Sequence, residues 1–262
     1  MRCKPKKSLG QNFLVDKNVQ TKIIRACAFH PLDVVLEVGA GRGELTRLIA
    51  EEVAFVYALE IDQMLCKELN YNFKDYKNVV IICQDILRFD IDAHFSRHGG
   101  KIKIFGNLPY YITSPIIERL FRFRQKIDTV FITVQKEFAQ RILARAGGKN
   151  YGSFSCFVEY FAEAKKLFFI KKRSFYPCPK VDSCFLQLTM RESPPVQVKD
   201  ETLFFKIIRK AFNQRRKTLR NSLEGVIPLK KINDFLKERG IEQNIRPERL
   251  SLTDFAYLAN MG

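Results

Sequence analysis

Apolar residues along the chain fall into two alternating periods. Short runs rich in β-branched residues occupy Pro31 to Val38, Phe55 to Asp62, Val79 to Cys83 and Lys103 to Gly106, and each stops at glycine, acid or amide residues. Between them the apolar positions recur at helical spacing. Asp16 can cap a helix from Lys17, the glycines at 39, 41 and 43 lead into a second, and Ser114-Pro115 reads as an N-cap and first helical position before Ile116 to Arg124. A strand over Thr129 to Val134 precedes a helix from Gln135-Lys136-Glu137, and Tyr151 to Phe161 reads as a packed helix with aromatic core residues. Lys165 to Lys172 and Ser183 to Met190 read as an antiparallel pair around a stiff Pro177-Cys-Pro179 loop. Seven strands with interleaved helices predict an open α/β sheet. After Ser193-Pro194-Pro195 only helical periodicity remains, ending in a capping box at Ser251 to Asp254 for a helix buried through Phe255, Leu258 and Ala259. The predicted domains are therefore residues 1–192 and 193–262.

Ligands of open parallel sheets collect beyond the carboxyl ends of the strands. The first strand end carries Glu37 and the Gly39-Ala-Gly41-Arg-Gly43 loop, a spacing that does not match G-x-G-x-x-G. The second carries Glu60, 21 residues after Gly39, where a carboxylate can hold ribose hydroxyls, and the third ends at Gln84-Asp85, where an acid can accept an adenine amine. Singly, each acid also reads as a helix cap or turn residue. Together with the glycine loop they suit a cofactor with amino, ribose and adenine groups, and S-adenosylmethionine fits better than a nicotinamide dinucleotide.

The fourth strand opens into Asn107-Leu108-Pro109-Tyr110. An exocyclic amine on a purine is a poor nucleophile because its lone pair is delocalised. The Asn107 side-chain oxygen and the Leu108 carbonyl can each accept one N–H and localise that pair, while Pro109 stiffens the turn and Tyr110 offers a face for a base.

Net charge changes the picture more than any other bulk property. A charge of +17 implies a polyanionic partner, nucleic acid before membrane. From Leu203 to Arg249 there are thirteen Lys or Arg against five Asp or Glu, with Arg215, Arg216, Lys217 and Arg220 within two turns. Such a run reads either as a solvated face or as a grip on phosphates. Seven cysteines without a C-x-x-C pair and three histidines without ligand spacing predict reduced thiols and no metal. The absence of an apolar leader or a membrane-length run predicts an unexported, cytoplasmic protein.

The segments Lys7 to Leu14, Glu37 to Thr46, Leu59 to Asp62, Asp85, Gly106 to Tyr110, Phe175 to Ser183 and Phe212 to Leu219 together resemble the ribosomal RNA adenine N6-dimethyltransferases nearly end to end. The last of them resembles the bacterial small-subunit branch more than the large-subunit resistance branch. The resemblance implies a Rossmann-like, seven-stranded S-adenosylmethionine-dependent methyltransferase domain followed by a small basic helical RNA-recognition domain. It implies a cofactor site at Asn12, Leu14, Gly39, Glu60, Asp85 and Asn107, with Glu37 and Gly41 supporting the methionine end. Asn107 and Leu108 would hold the target amine, Tyr110 would stack on the flipped adenine and Phe175 would close its other face. Gln135 reads equally as a target contact and as a helix start. The implied substrate is two adjacent adenines of small-subunit ribosomal RNA, in an assembling 30S particle, acted on by a monomer that releases S-adenosylhomocysteine. Two other readings share these residues: a non-catalytic ribosome-assembly factor, and a large-subunit methylase of the antibiotic-resistance type.

Overall fold

The computed structural model describes residues 4–96, 98–214 and 217–261. The chain divides into two compact units, Met1–Ala139 with Lys165–Met190, and Gln140–Ala164 with Arg191–Gly262. The division at 190/191 falls beside the boundary expected at 192, but residues 140–164, expected in the first domain, group with the later helices.

The strands are β1 (Phe13–Leu14), β2 (Val34–Val38), β3 (Phe55–Glu60), β4 (Val79–Cys83), β5 (Ile102–Asn107), β6 (Ile127–Gln135), β7 (Ala162–Ile170), β8 (Phe175–Tyr176) and β9 (Ser183–Met190). Seven of them form one sheet in the order β4-β3-β2-β5-β6-β9-β7, and β1 pairs with β8 separately. The neighbours from β4 to β6 run parallel, and β9 runs antiparallel to β6. Strand order reverses between β2 and β5, with Val38 in register with Gly106. A crevice at such a switch point is the ligand site of open α/β sheets, and it brings the glycine loop and the Asn-Leu-Pro-Tyr turn side by side.

The associated helices are α1 (Lys17–Cys27), α2 (Glu44–Ala50), α3 (Gln63–Asn72), α4 (Ile91–His94), α5 (Thr113–Arg122) and α6 (Lys136–Ile142). Asp16 caps α1, its carboxylate accepting from the Asn18 and Val19 N–H groups. The fully buried strand residues Val35, Val56, Ala58 and Phe105 pack with Ile23, Ile49 and Leu69 from the helices in one apolar cluster. Burying a Val, Ile, Leu or Phe side chain is worth about 1.5–3 kcal/mol, so this cluster fixes the strand ends that carry the site. Ser114 is not the cap of α5: a 3-10 turn at Tyr110–Ile112 runs straight into the helix, which starts at Thr113, two residues before the expected Pro115.

Cys66 and Cys83 are not both free thiols, as the lack of C-x-x-C spacing suggested, but are joined as a disulfide with Cα atoms 5.8 Å apart. The return of the chain from α3 into β4 brings together cysteines 17 residues apart, a proximity that local spacing does not encode.

In the second unit α7 (Ser153–Phe161), α8 (Glu201–Asn213), α9 (Leu219–Ser222), α10 (Leu229–Glu238) and α11 (Leu252–Asn260) follow helical periodicity as expected. Phe157, Tyr160 and Phe161 of α7 meet Phe204 and Phe205 of α8 at ring-centroid distances of 5.2–5.6 Å. Ser251 and Asp254 cap α11 reciprocally, each side chain accepting from the other's backbone N–H. No helix among the described residues is long and apolar enough to cross a membrane.

Candidate active site

A cleft opens at the carboxyl ends of β2, β3, β4 and β5, the place where open parallel sheets bind their ligands. Its wall takes in Gly39 and Gly41, Glu60 and Asp85, and Asn107, Leu108 and Tyr110, together with Asn12.

At the β2 end, Gly39, Gly41 and Gly43 all have positive φ, +79°, +60° and +81°. Folding the loop this way aims the Gly41 N–H at Oε2 of Glu60, 2.8 Å away. Oε1 of the same carboxylate accepts from the Ile61 and Asp62 N–H groups, both at 3.0 Å. Burial nevertheless pushes the Glu60 carboxyl up, against the pull of those three bonds. Held by backbone alone, Glu60 keeps lone pairs for vicinal hydroxyls. Asp85 caps its own turn through the Leu87 N–H, 2.9 Å from Oδ1, and so presents Oδ2 as an acceptor for an amine. Ile61 and Ile86, each directly after a strand-end acid, add apolar walls between them. Acceptors for ribose and adenine on apolar walls fit S-adenosylmethionine.

At the β5 end, Gly106 permits a close approach: a Cβ there would lie 2.7 Å from Leu108 Cδ2 and 3.1 Å from the Val38 carbonyl. The Asn107 amide nitrogen donates to the Asn12 carbonyl at 2.8 Å, which turns Oδ1 to the other side as a free acceptor. The Thr113 hydroxyl donates to the Pro109 and Tyr110 carbonyls at 3.1 and 3.3 Å and closes the turn beyond. Tyr110 is anchored at its far end, its hydroxyl 2.6 Å from Ser183 Oγ, and burial raises its phenol pKa.

The N-terminal segment completes the wall. Lys6 Nζ lies 2.8 Å from Asp62 Oδ1, and Gln11 donates to Oδ2 at 3.2 Å. Burial works against ionisation of Asp62, but the bonds from Lys6, the Met64 N–H and Gln11 hold its carboxyl below the usual range.

Three expected residues stand apart from the cavity. Leu14 and Phe175 face each other across the β1–β8 pair, 5% and 3% exposed, and both belong to the apolar cluster. Strand alternation puts their neighbour Phe13 in the cavity wall instead. Glu37 is 2% exposed, and its Oε2 accepts from Thr46 Oγ1 at 2.5 Å. Burial pushes the Glu37 carboxyl up to about 8, opposed by the Thr46 bond and reinforced by Glu60 and Glu44. Gln135 ends β6 immediately before α6. Lys217 is exposed, and Arg220 on α9 donates to Gln243 Oε1 at 3.0 Å. Arg215 and Arg216 lie outside the described residues. Residues missed in the sequence include Phe13, Ile61, Ile86 and Tyr111; for the two isoleucines the signal was an apolar residue directly after each strand-end acid. No group of three or more metal-ligating side chains occurs among the described residues.

Known proteins resemble this chain in sequence and in fold. Ribosomal RNA small subunit methyltransferase A of Oceanobacillus iheyensis is 45% identical, over 97% of this chain and 89% of its own. The protein of the same name from Caldanaerobacter subterraneus subsp. tengcongensis is 44% identical over 98% and 97%. Among solved structures, a dimethyladenosine transferase from Plasmodium falciparum superposes with a TM-score of 0.80 at 27% identity, covering 94% of this chain and 95% of that one. A 23S rRNA methyltransferase, ErmE, shares the fold at a TM-score of 0.74 and 23% identity, over 95% and 98%. The profile of the family described as ribosomal RNA adenine dimethylase matches residues 2–261. With its glycine loop, strand-end acids and Asn-Leu-Pro-Tyr turn gathered on one cavity, the chain belongs to the ribosomal RNA adenine dimethylase family.

Proposed function

We propose that this protein transfers methyl groups from S-adenosylmethionine to N6 of two adjacent adenines in small-subunit ribosomal RNA, making both N6,N6-dimethyladenosine. The observation that carries the reading is the Asn107 amide, oriented by the Asn12 carbonyl so that its oxygen stands as an acceptor beside Leu108. Relatives named ribosomal RNA small subunit methyltransferase A support the choice of substrate.

Glu60 and Asp85 would hold the ribose and adenine of the cofactor, which when bound supplies an electrophilic methyl on a sulfonium. The residues of this chain do the rest. Asn107 Oδ1 and the Leu108 carbonyl accept the two N6 hydrogens and localise the nitrogen lone pair toward the methyl. Tyr110, tethered to Ser183, stacks on a base that has left its helix. A methylated N6 is strongly acidic while cationic, so its proton passes to water without a general base. Positioning and polarisation carry the catalysis. We further infer a monomer working in the cytoplasm on RNA within an assembling small subunit, with S-adenosylhomocysteine released.

The test is transfer of labelled methyl to purified small and large ribosomal subunits that lack adenine dimethylation, with the digested products resolved by mass. Dimethyladenosine from the small subunit alone is expected. Asn107→Ala should lower transfer by about 10²–10³ while RNA binding persists. Product from the large subunit, or RNA binding with no product, would overturn the reading.

A further inference from the structure

The last strand of the sheet carries an exposed aromatic ring that the cavity does not use. β7 ends the strand order, and of its two adjacent phenylalanines Phe168 turns inward to Phe185, 5.5 Å between centroids, whereas Phe169 is 45% exposed. Two ammonium groups hang over the Phe169 ring, Lys166 Nζ at 4.9 Å and Lys136 Nζ at 5.3 Å from its centroid. Beyond the strand the exposed residues Lys171, Lys172 and Arg173 continue the positive charge, and Tyr176 adds a second ring, 56% exposed. The acid within this stretch, Asp182, is engaged by Lys171 Nζ at 3.2 Å and by the Lys172 N–H at 3.0 Å.

This face is wired to the proposed base site. The Asp182 carbonyl accepts from the Lys136 N–H at 3.0 Å, and the next residue, Ser183, holds the Tyr110 hydroxyl. An aromatic face flanked by ammonium groups matches a nucleotide, which has one π-face and one phosphate on each side. A strand edge with two separated rings offers no apolar face to enter a bilayer.

We propose that the β7 edge is a second RNA-binding surface, on which Phe169 stacks with an unpaired nucleotide near the target while Lys136, Lys166, Lys171 and Lys172 hold the adjoining phosphates. The proposal rests on the reading of the protein as an RNA methyltransferase. On binding, the two lysines leave the ring for phosphates and the base takes their place.

The experiment measures binding of a fluorescein-labelled RNA hairpin with two adjacent adenines in its loop, across a salt series. Full-length wild type is compared with Phe169→Ala, Phe169→Leu, Phe169→Tyr and the double variant Lys166→Ala/Lys172→Ala. All changes are at exposed side chains, and calorimetric binding of S-adenosylhomocysteine checks that the cofactor site is intact. Phe169→Ala and Phe169→Leu should both weaken binding about 5- to 100-fold, with Phe169→Tyr restoring it, since stacking needs a π-face. The double lysine variant should reduce the slope of log affinity against log salt by about 1.4, at about 0.7 per single-strand phosphate. Leucine binding as well as phenylalanine, an unchanged salt slope, or lysine-dependent binding to phosphatidylserine vesicles in place of RNA would overturn the surface. Methyl transfer by wild type to small subunits is run alongside. Transfer with unaltered variants rejects the surface alone, whereas wild type that neither transfers nor binds RNA rejects the underlying reading and the surface with it.

Discussion

Glu37 illustrates how one buried side chain can set a property of the whole fold. Its carboxyl is pushed up to about 8, far above the ordinary 4.5, because it is buried, and the bond from Thr46 opposes that shift without cancelling it. Between those two values the folded chain keeps a proton that the unfolded chain has released, so stability must fall as pH rises. The contribution is complete below about 4.5 and gone once pH passes about 8. Glu37→Gln keeps an acceptor for the Thr46 hydroxyl without the titration. Urea unfolding at pH 5.5 and pH 8 should show wild type losing stability relative to the glutamine variant; parallel behaviour at both pH values would mean that the carboxyl is not held neutral. At this scale, sequence conveyed residue type but not direction. Glu60, Asp85 and Asn107 were legible because an acid or amide just past an apolar run has few places to go. Phe175 was not, because its facing depends on the pairing of two-residue strands far apart in the chain, Leu14 lying opposite Phe175.

Among the elements, the turn from β2 into α2 is the most exacting. Gly43 is the N-cap of α2 at φ +81°, and a Cβ there would sit 2.5 Å from Phe73 Cε2 and 2.8 Å from Leu69 Cδ2. Both rivals for that space are buried, at 4% and 0% exposure. Gly43→Ala should therefore destabilise the protein by about 2–4 kcal/mol through strained backbone and overpacking, lowering Tm by roughly 5–10 °C. A melt within 1 °C or so of wild type would show that α3 gives way easily. Strands and most helices were readable from period and caps, Asp16 and Ser251 among them. The start of α5 was not, because a 3-10 turn supplies the geometry that a capping side chain would otherwise provide. The Cys66–Cys83 bond was equally invisible, being a product of how α3 returns to β4.

For the molecule as a whole, charge is the dominant fact, and it is unevenly spread. The segment from Leu203 to Arg249 holds thirteen of the basic residues. Replacing Arg215, Arg216 and Lys217 together with Ala should weaken RNA binding at every salt concentration and reduce the salt slope by about 2, at about 0.7 per single-strand phosphate. Anisotropy titrations would check it, and an unchanged slope would remove this cluster from the footprint. The seven-stranded plan was legible from alternating periods, whereas the path of the chain between the two units was not. The chain crosses from one unit to the other after residues 139, 164 and 190. The middle crossing carries the chain back to the sheet after α7, whose rings rest on Phe204 and Phe205 of the helical unit. A single cut near residue 192 would therefore strip α7 of its cover and leave an apolar helix bare on the fragment. The helical unit is stitched in rather than appended, so no single-crossover exchange between relatives would transplant it whole.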